Sequence, residues 1–202
     1  MTVRVDTAVY GADFTVPVAR IPATNFPGEP TVVVPVATQG DWSLVLTASR
    51  QQLPSQAADA PAQTAAWVPT TDLVQLGELP DRIVISLAAQ TLTITDTEGT
   101  ARSSFPVGIG TAQAPTPSGV TGYLQARYLD PAQDQLVHRI QLTSLHATAA
   151  DEPYGGSDGG LIGVHHQSDA TGRVSHGCLR LASDAIEAVD RLALGTPIQV
   201  VE

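Results

Sequence analysis

Hydrophobic and polar positions alternate with a period of two along most of this chain, which is the pattern of strands with one buried face. Asp41-Trp42-Ser43-Leu44-Val45-Leu46 alternates, Thr31 to Pro35 is a β-branched run, and Trp67-Val68 precedes a short segment ending at Val74-Gln75-Leu76. Gln51 to Ala66 is rich in Ala, Gln and Pro and reads as a long loop. These signals predict a small β-domain over residues 1–77, with Trp42 and Trp67 in its core and a linker through Gly77-Glu78-Leu79-Pro80.

A second domain, 78–202, follows. Arg82-Ile83-Val84-Ile85-Ser86-Leu87 and Thr91-Leu92-Thr93-Ile94 read as a hairpin turned at Ala88-Ala89-Gln90. Phe105 to Gly110 leads into the loop Ala114-Pro115-Thr116-Pro117-Ser118-Gly119, and Gly159 to His165 reads as a buried strand. Arg127 to Gly160 reads as a loop, and its stretch Tyr154-Gly155-Gly156-Ser157-Asp158-Gly159-Gly160 has the flexibility of a lid. The clearest helix follows a cap at Ser183 or Asp184, with Ile186, Val189 and Leu192 or Ala193 on one face and Gly195 as the terminating glycine. Ile198-Gln199-Val200-Val201 forms a last strand. The expected class is mostly β, with one or two helices.

Composition narrows the functions. Hydrophobic residues make up 43% of 202 positions, enough for a packed core, but aromatics are only 4%, so that core must be aliphatic. The formal charge of −10 argues against nucleic acid and anionic lipid, whose phosphates need a basic surface. No stretch approaches the length of a membrane span, so no membrane partner is expected for this chain. The amino terminus lacks the apolar core of an export signal, although the function argued below requires export. With one cysteine there is no internal disulfide and no cysteine-rich metal site.

That cysteine lies in the densest polar cluster: His165-His166-Gln167-Ser168-Asp169, then Gly172-Arg173-Val174-Ser175-His176-Gly177-Cys178-Leu179-Arg180-Leu181. A thiol of ordinary pKa is only about 3% ionised at neutral pH, so a nearby imidazole is its usual activator. In an extended segment His176, Cys178 and Arg180 share a face. The N–H groups of Gly177 and Cys178 are candidates for an oxyanion hole, and Arg180 for holding a substrate carboxylate. Each residue has a plainer reading alone: a buried thiol, surface histidines, an ordinary Pro/Gly turn. Their coincidence within one short stretch favours chemistry.

Ser175-His176-Gly177-Cys178-Leu179-Arg180-Leu181 resembles the signature of the L,D-transpeptidase family of YkuD-like catalytic domains. Ile162-Gly163-Val164-His165 resembles the strand carrying that family's catalytic histidine, and Phe105 to Gly110 with Thr116-Pro117-Ser118-Gly119 its early segment. The resemblance covers about residues 81–202. It implies a cysteine acyltransferase without cofactor or metal, acting on peptidoglycan stem peptides outside the cytoplasm and sensitive to carbapenems. In the family the cysteine attacks after the diamino acid of a stem tetrapeptide, expels D-alanine, and passes the acyl group to an amine, forming a 3→3 cross-link. By position Cys178 is the nucleophile and His165 the base, with His176 also catalytic. Ser175, Gly177, Arg180 and His166 are the expected substrate contacts, and a carbonyl near His166 orients His165.

Two departures stand out. The spacing from His165 to Cys178 is shorter than usual in the family, and His166 replaces a small residue, which leaves His166 open as the functional imidazole. Residues 1–77 resemble small bacterial Src-homology-type β-barrels, through Gly40-Asp41-Trp42 and Ala66-Trp67-Val68; such a domain serves as a spacer or a wall-peptide binder. A monomer is expected. Alternatives are an L,D-carboxypeptidase, a transferase to protein lysine, a non-catalytic wall-binding protein, and a zinc hydrolase using His165, His166, His176 and Cys178. If Cys178 and a histidine act together, the rate should follow the ionisation of the pair.

Overall fold

A computed structural model describes residues 1–150 and 160–202. The chain runs through β1 (Thr2–Val3), β2 (Thr7–Tyr10), β3 (Pro17–Ile21), β4 (Val34–Gln39), β5 (Trp42–Thr47), β6 (Thr64–Pro69) and β7 (Leu73–Val74). It continues through β8 (Asp81–Ser86), β9 (Thr91–Asp96), β10 (Ala101–Pro106), β11 (Ile109–Gly110), β12 (Val120–Asp130) and β13 (Gln135–His146). Then come β14 (Leu161–His166), β15 (Arg173–Ser175), β16 (Leu179–Leu181), the helix α1 (Ser183–Asp190) and β17 (Pro197–Val201). The mostly-β expectation holds, with a single α-helix among the described residues.

The first half forms a five-stranded sheet, β3-β2-β6-β5-β4, and β1 pairs with β7 beside it. Among the described residues no ladder joins the edge strands β3 and β4, so a closed barrel is not formed. Its core is small and nearly all valine: Val3, Val9, Val33, Val45 and Val68, with Ile21 and Leu73. Trp42 and Trp67 lie outside it. They alternate to the opposite face, where Phe14 sits 5.1 Å from each ring and Tyr10 4.9 Å from Trp42. Ser43, Val45 and Thr47 take the buried positions instead. The long loop ends sooner than composition implied, because Thr64-Ala65-Ala66 already pairs with β5.

The second half builds an eight-stranded sheet, β10-β9-β8-β17-β12-β13-β14-β16. The hairpin at Gln90 is as expected, and Gln90 takes the left-handed conformation there. Residues 127–130 and 135–146, expected as loop, belong to β12 and β13, the two longest strands among the described residues. The lid stretch falls outside the described residues apart from Gly160. Helix α1 packs Ala185, Ile186 and Val189 into the aliphatic core with Ile83, Leu179 and Ile198. Ala182, not Ser183, holds its N-cap position, and the helix ends at Asp190 with Arg191 as C-cap. Gly195 therefore does not terminate it; with φ of 95° it turns the chain into β17.

The sheets meet through polar contacts. The buried Tyr123 hydroxyl donates to the Val32 carbonyl at 3.0 Å, and burial pushes its phenol pKa up. The Ser144 hydroxyl donates to the Gln63 amide oxygen at 2.6 Å. The Arg50 Nε donates to His146 Nδ1 at 3.2 Å, while His146 Nε2 donates to the Ala48 carbonyl at 3.0 Å. Burial, then the Arg50 charge, pulls the His146 pKa down to about 4.

Candidate active site

β14 and β16 run parallel, with Val164 opposite Leu179 and His165 opposite Arg180. Cys178 immediately precedes β16. Its Sγ accepts a hydrogen bond from the Gly163 N–H at 3.4 Å. Alternation puts Leu161, Gly163 and His165 on one face of β14, while Ile162 and Val164 enter the core. His165 and Cys178 are thus diagonal neighbours across adjacent strands, a separation that a ring and a thiol can bridge. A Cβ on Gly163 would lie 3.8 Å from Sγ and 3.4 Å from Ile140, both ordinary van der Waals contacts, so the sulfur packs directly on the β14 backbone.

The His165 Nδ1–H donates to the His166 carbonyl at 3.1 Å, which leaves Nε2 as the unprotonated, accepting nitrogen. The same carbonyl accepts from the Gln135 side-chain amide at 3.0 Å. Burial lowers the His165 pKa and the neighbouring Arg180 charge lowers it further, although the bond to His166 opposes them. Burial raises the Cys178 pKa, against the Gly163 N–H and the Arg180 charge. Both shifts favour a neutral thiol beside a neutral imidazole in the free site, rather than a standing thiolate–imidazolium pair.

The turn before Cys178 is held from below. Gly177 has φ of 104°, and the Thr116 hydroxyl bridges the two loops, accepting from Gly110 N–H at 2.9 Å and donating to Gly177 carbonyl at 2.8 Å. Ser175 Oγ accepts from Gly177 N–H at 3.2 Å and donates to Cys178 carbonyl at 2.6 Å. A Cβ at Gly110 would come within 2.3 Å of the Ala114 carbonyl, so that position requires glycine.

A model of the YkuD family, the L,D-transpeptidase catalytic domain, matches residues 80–200. The chain belongs to this family. No curated protein sequence matches it. Among solved structures it is similar to an L,D-transpeptidase from Xylanimonas cellulosilytica, at 17% identity and TM-score 0.45, covering 62% of each chain. It is also similar to Mycobacterium tuberculosis L,D-transpeptidase 1, at 21% identity and TM-score 0.42, covering 68% of this chain and 78% of that one. A third, from Mycobacterium smegmatis, has 20% identity and TM-score 0.44, covering 86% and 100%. The chain thus spans less than two thirds of the length of the first of these.

Within this L,D-transpeptidase domain the fold separates the expected site residues. Cys178, His165 and Arg180 share a neighbourhood, and the buried Arg180 Nε has no hydrogen-bond partner among the described residues. His166 faces the other way: its ring stacks on His138 at 4.8 Å and its Nε2 meets the Ser183 hydroxyl at 3.2 Å. Opposed in this way, the His165 and His166 rings cannot close on one metal ion. Ser175, expected at the substrate, is buried, and its hydroxyl bonds the turn's own backbone. Gly177 likewise spends its N–H on Ser175, which leaves Cys178 N–H as the remaining oxyanion candidate. His176 is exposed, and the left-handed Gly177 breaks the extended course that would have set it beside Cys178. Two residues were missed. Gln135 is nearly fully buried against the His166 carbonyl, and burial, then the charges of Asp130 and Cys178, raises the Tyr128 phenol pKa. No local motif marks either; both stand in residues that read as loop.

Proposed function

We propose that this chain is a peptidoglycan L,D-transpeptidase in which Cys178 is the nucleophile and His165 the base. One observation carries the reading: Sγ and the His165 ring share a face, and the ring's tautomer directs an accepting nitrogen outward. As Sγ attacks the carbonyl after the diamino acid of a stem tetrapeptide, its proton passes to His165 Nε2. Cys178 N–H stabilises the oxyanion, and Arg180 binds a stem carboxylate. The tetrahedral intermediate collapses, the C–N bond breaks, and the departing D-alanine amine takes the proton from His165. A side-chain amine of a second stem then attacks the thioester, gives its proton to His165, and releases Cys178 with a 3→3 link formed. Catalysis therefore begins from the neutral pair, with proton transfer concerted with attack. The substrate places the working enzyme outside the cytoplasm, as a monomer whose residues 1–77 form an accessory unit and 78–202 the catalytic one.

Intact-protein mass after incubation with a carbapenem tests this. A stoichiometric adduct on wild type, absent from Cys178→Ala, is the expected result. Turnover of stem tetrapeptide should fall by more than about a thousandfold in the same variant. A well-folded wild type that gains no adduct and releases no D-alanine would overturn the assignment.

A further inference from the structure

The loop between β3 and β4 is closed by its own hydrogen bonds. Asn25 N–H donates to the Glu29 carbonyl at 2.8 Å, Glu29 N–H to Asn25 Oδ1 at 2.8 Å, and Gly28 N–H to the Asn25 carbonyl at 2.9 Å. This ordered turn holds out Phe26, which is 66% exposed and so adds little to either core. Its ring instead meets Tyr128 of β12, edge-on, with centroids 4.9 Å apart.

The register of the large sheet puts Tyr128 on the side of the nucleophile. Leu142 lies opposite Gly163, and Ala126 opposite Leu142. Ala126 and, two residues on, Tyr128 therefore share the face of Gly163 and His165, where Gly163 N–H holds Cys178 Sγ. Tyr128 itself stands opposite Ile140, whose Cγ2 borders Gly163 beside Sγ. Two strand spacings, about 10 Å, separate the backbones of Tyr128 and Gly163. On the other flank, across β14 from Tyr128, His165 is paired with Arg180. The face thus has a cationic flank at Arg180 and an aromatic, apolar flank at Ile140, Tyr128 and Phe26, with Sγ and His165 between them.

We infer that Tyr128 is a specificity-determining residue for the donor stem and that Phe26, from the first half of the chain, is its positioning residue. The inference rests on the stem-peptide reading above. A stem with a carboxylate at Arg180 and its reacting carbonyl at Sγ lays the aliphatic part of its diamino-acid side chain toward β12, where a ring face can cover methylenes. A half-buried tyrosine can occupy several staggered χ1 wells, and an edge-on partner favours one of them. The donor then meets a ring already in place, so ordering that ring takes nothing from its binding.

A double-mutant cycle on D-alanine release from stem tetrapeptide tests both roles. Phe26→Ala should raise KM about fivefold while lowering kcat less than about twofold, at the melting temperature of wild type. Tyr128→Ala should raise KM more than about tenfold, and the double variant should match Tyr128→Ala alone. Phe26→Tyr keeps the edge-on ring and should restore KM, whereas Phe26→Leu, apolar but without a ring, should not. A Phe26→Ala protein that loses stability but keeps its KM, or effects of the two variants that multiply, overturns the positioning role. An unchanged KM in Tyr128→Ala overturns the whole inference and leaves the transpeptidase reading in place. A wild type that releases no D-alanine and gains no carbapenem adduct overturns both.

Discussion

The two sheets are held by different means. The catalytic sheet and α1 close over nineteen buried aliphatic residues, from Ile83 to Val200. The first sheet closes over seven, five of them valines, and both of its tryptophans face away from that core. Burial free energy scales with the apolar area removed from water, so the smaller core supplies much less. The first sheet therefore depends on the polar joint around Arg50, Gln63, His146 and Tyr123. A weakly self-sufficient unit is thus propped on a robust one.

The largest effects should separate the two cores. Ile85→Ala should cost about 3–4 kcal/mol and Val45→Ala about 2 kcal/mol. Both tryptophans of the chain are in β5 and β6, so their fluorescence follows the first sheet alone, while circular dichroism follows both. Val45→Ala should shift the fluorescence transition and spare cysteine acylation; Ile85→Ala should shift both signals. A single coincident transition in both variants would show that the sheets unfold as one unit.

The joint should be sensitive to acid. His146 has a folded-state pKa near 4, below its ordinary 6.5, so the unfolded chain binds the proton more readily. Stability is then fully present above about pH 6.5 and declines as pH falls toward 4, by up to about 3 kcal/mol. The tryptophan signal should lose stability across that window, and His146→Gln should flatten the slope. A wild-type curve without slope between pH 6.5 and 4 would remove this joint as the weak point.

The smallest effect belongs to Gln135. It anchors the carbonyl that orients His165, so Gln135→Leu should lower kcat about fivefold, with KM little changed, and shift the pH–rate profile. Gln135→Asn is too short to span the same bond and should rescue little. An unchanged profile with KM altered instead would make Gln135 only a packing residue.

What could be read in advance depended on how local the signal was. The β8–β9 hairpin, β14 and β17 were legible because their apolar positions follow local rules of alternation or continuous burial. β13 was not, because Gln135, Gln141, Thr143, Ser144 and His146 are buried there. Apart from Gln141 Oε1, their polar groups find partners, several of them, such as Gln63, Arg50 and Asp190, far away in sequence, so the polarity that suggested a loop is a polar interior. Two-residue spacing sets His176 and Cys178 on one face only in extended backbone, and Gly177 between them is left-handed.

By itself, then, the sequence determined the mostly-β class, the family, and the candidate pair of Cys178 and a strand-borne His165, because these rest on contiguous residues and their periodicity. Tertiary structure alone decided that His165 shares a face with the sulfur while His166 meets Ser183 of α1, that Ser175 and Gly177 serve the turn, and that the first sheet is tied to β12 and β13 by polar contacts. Those outcomes depend on which strands become neighbours and which face each strand buries, and contacts between distant segments are formed only when the chain folds.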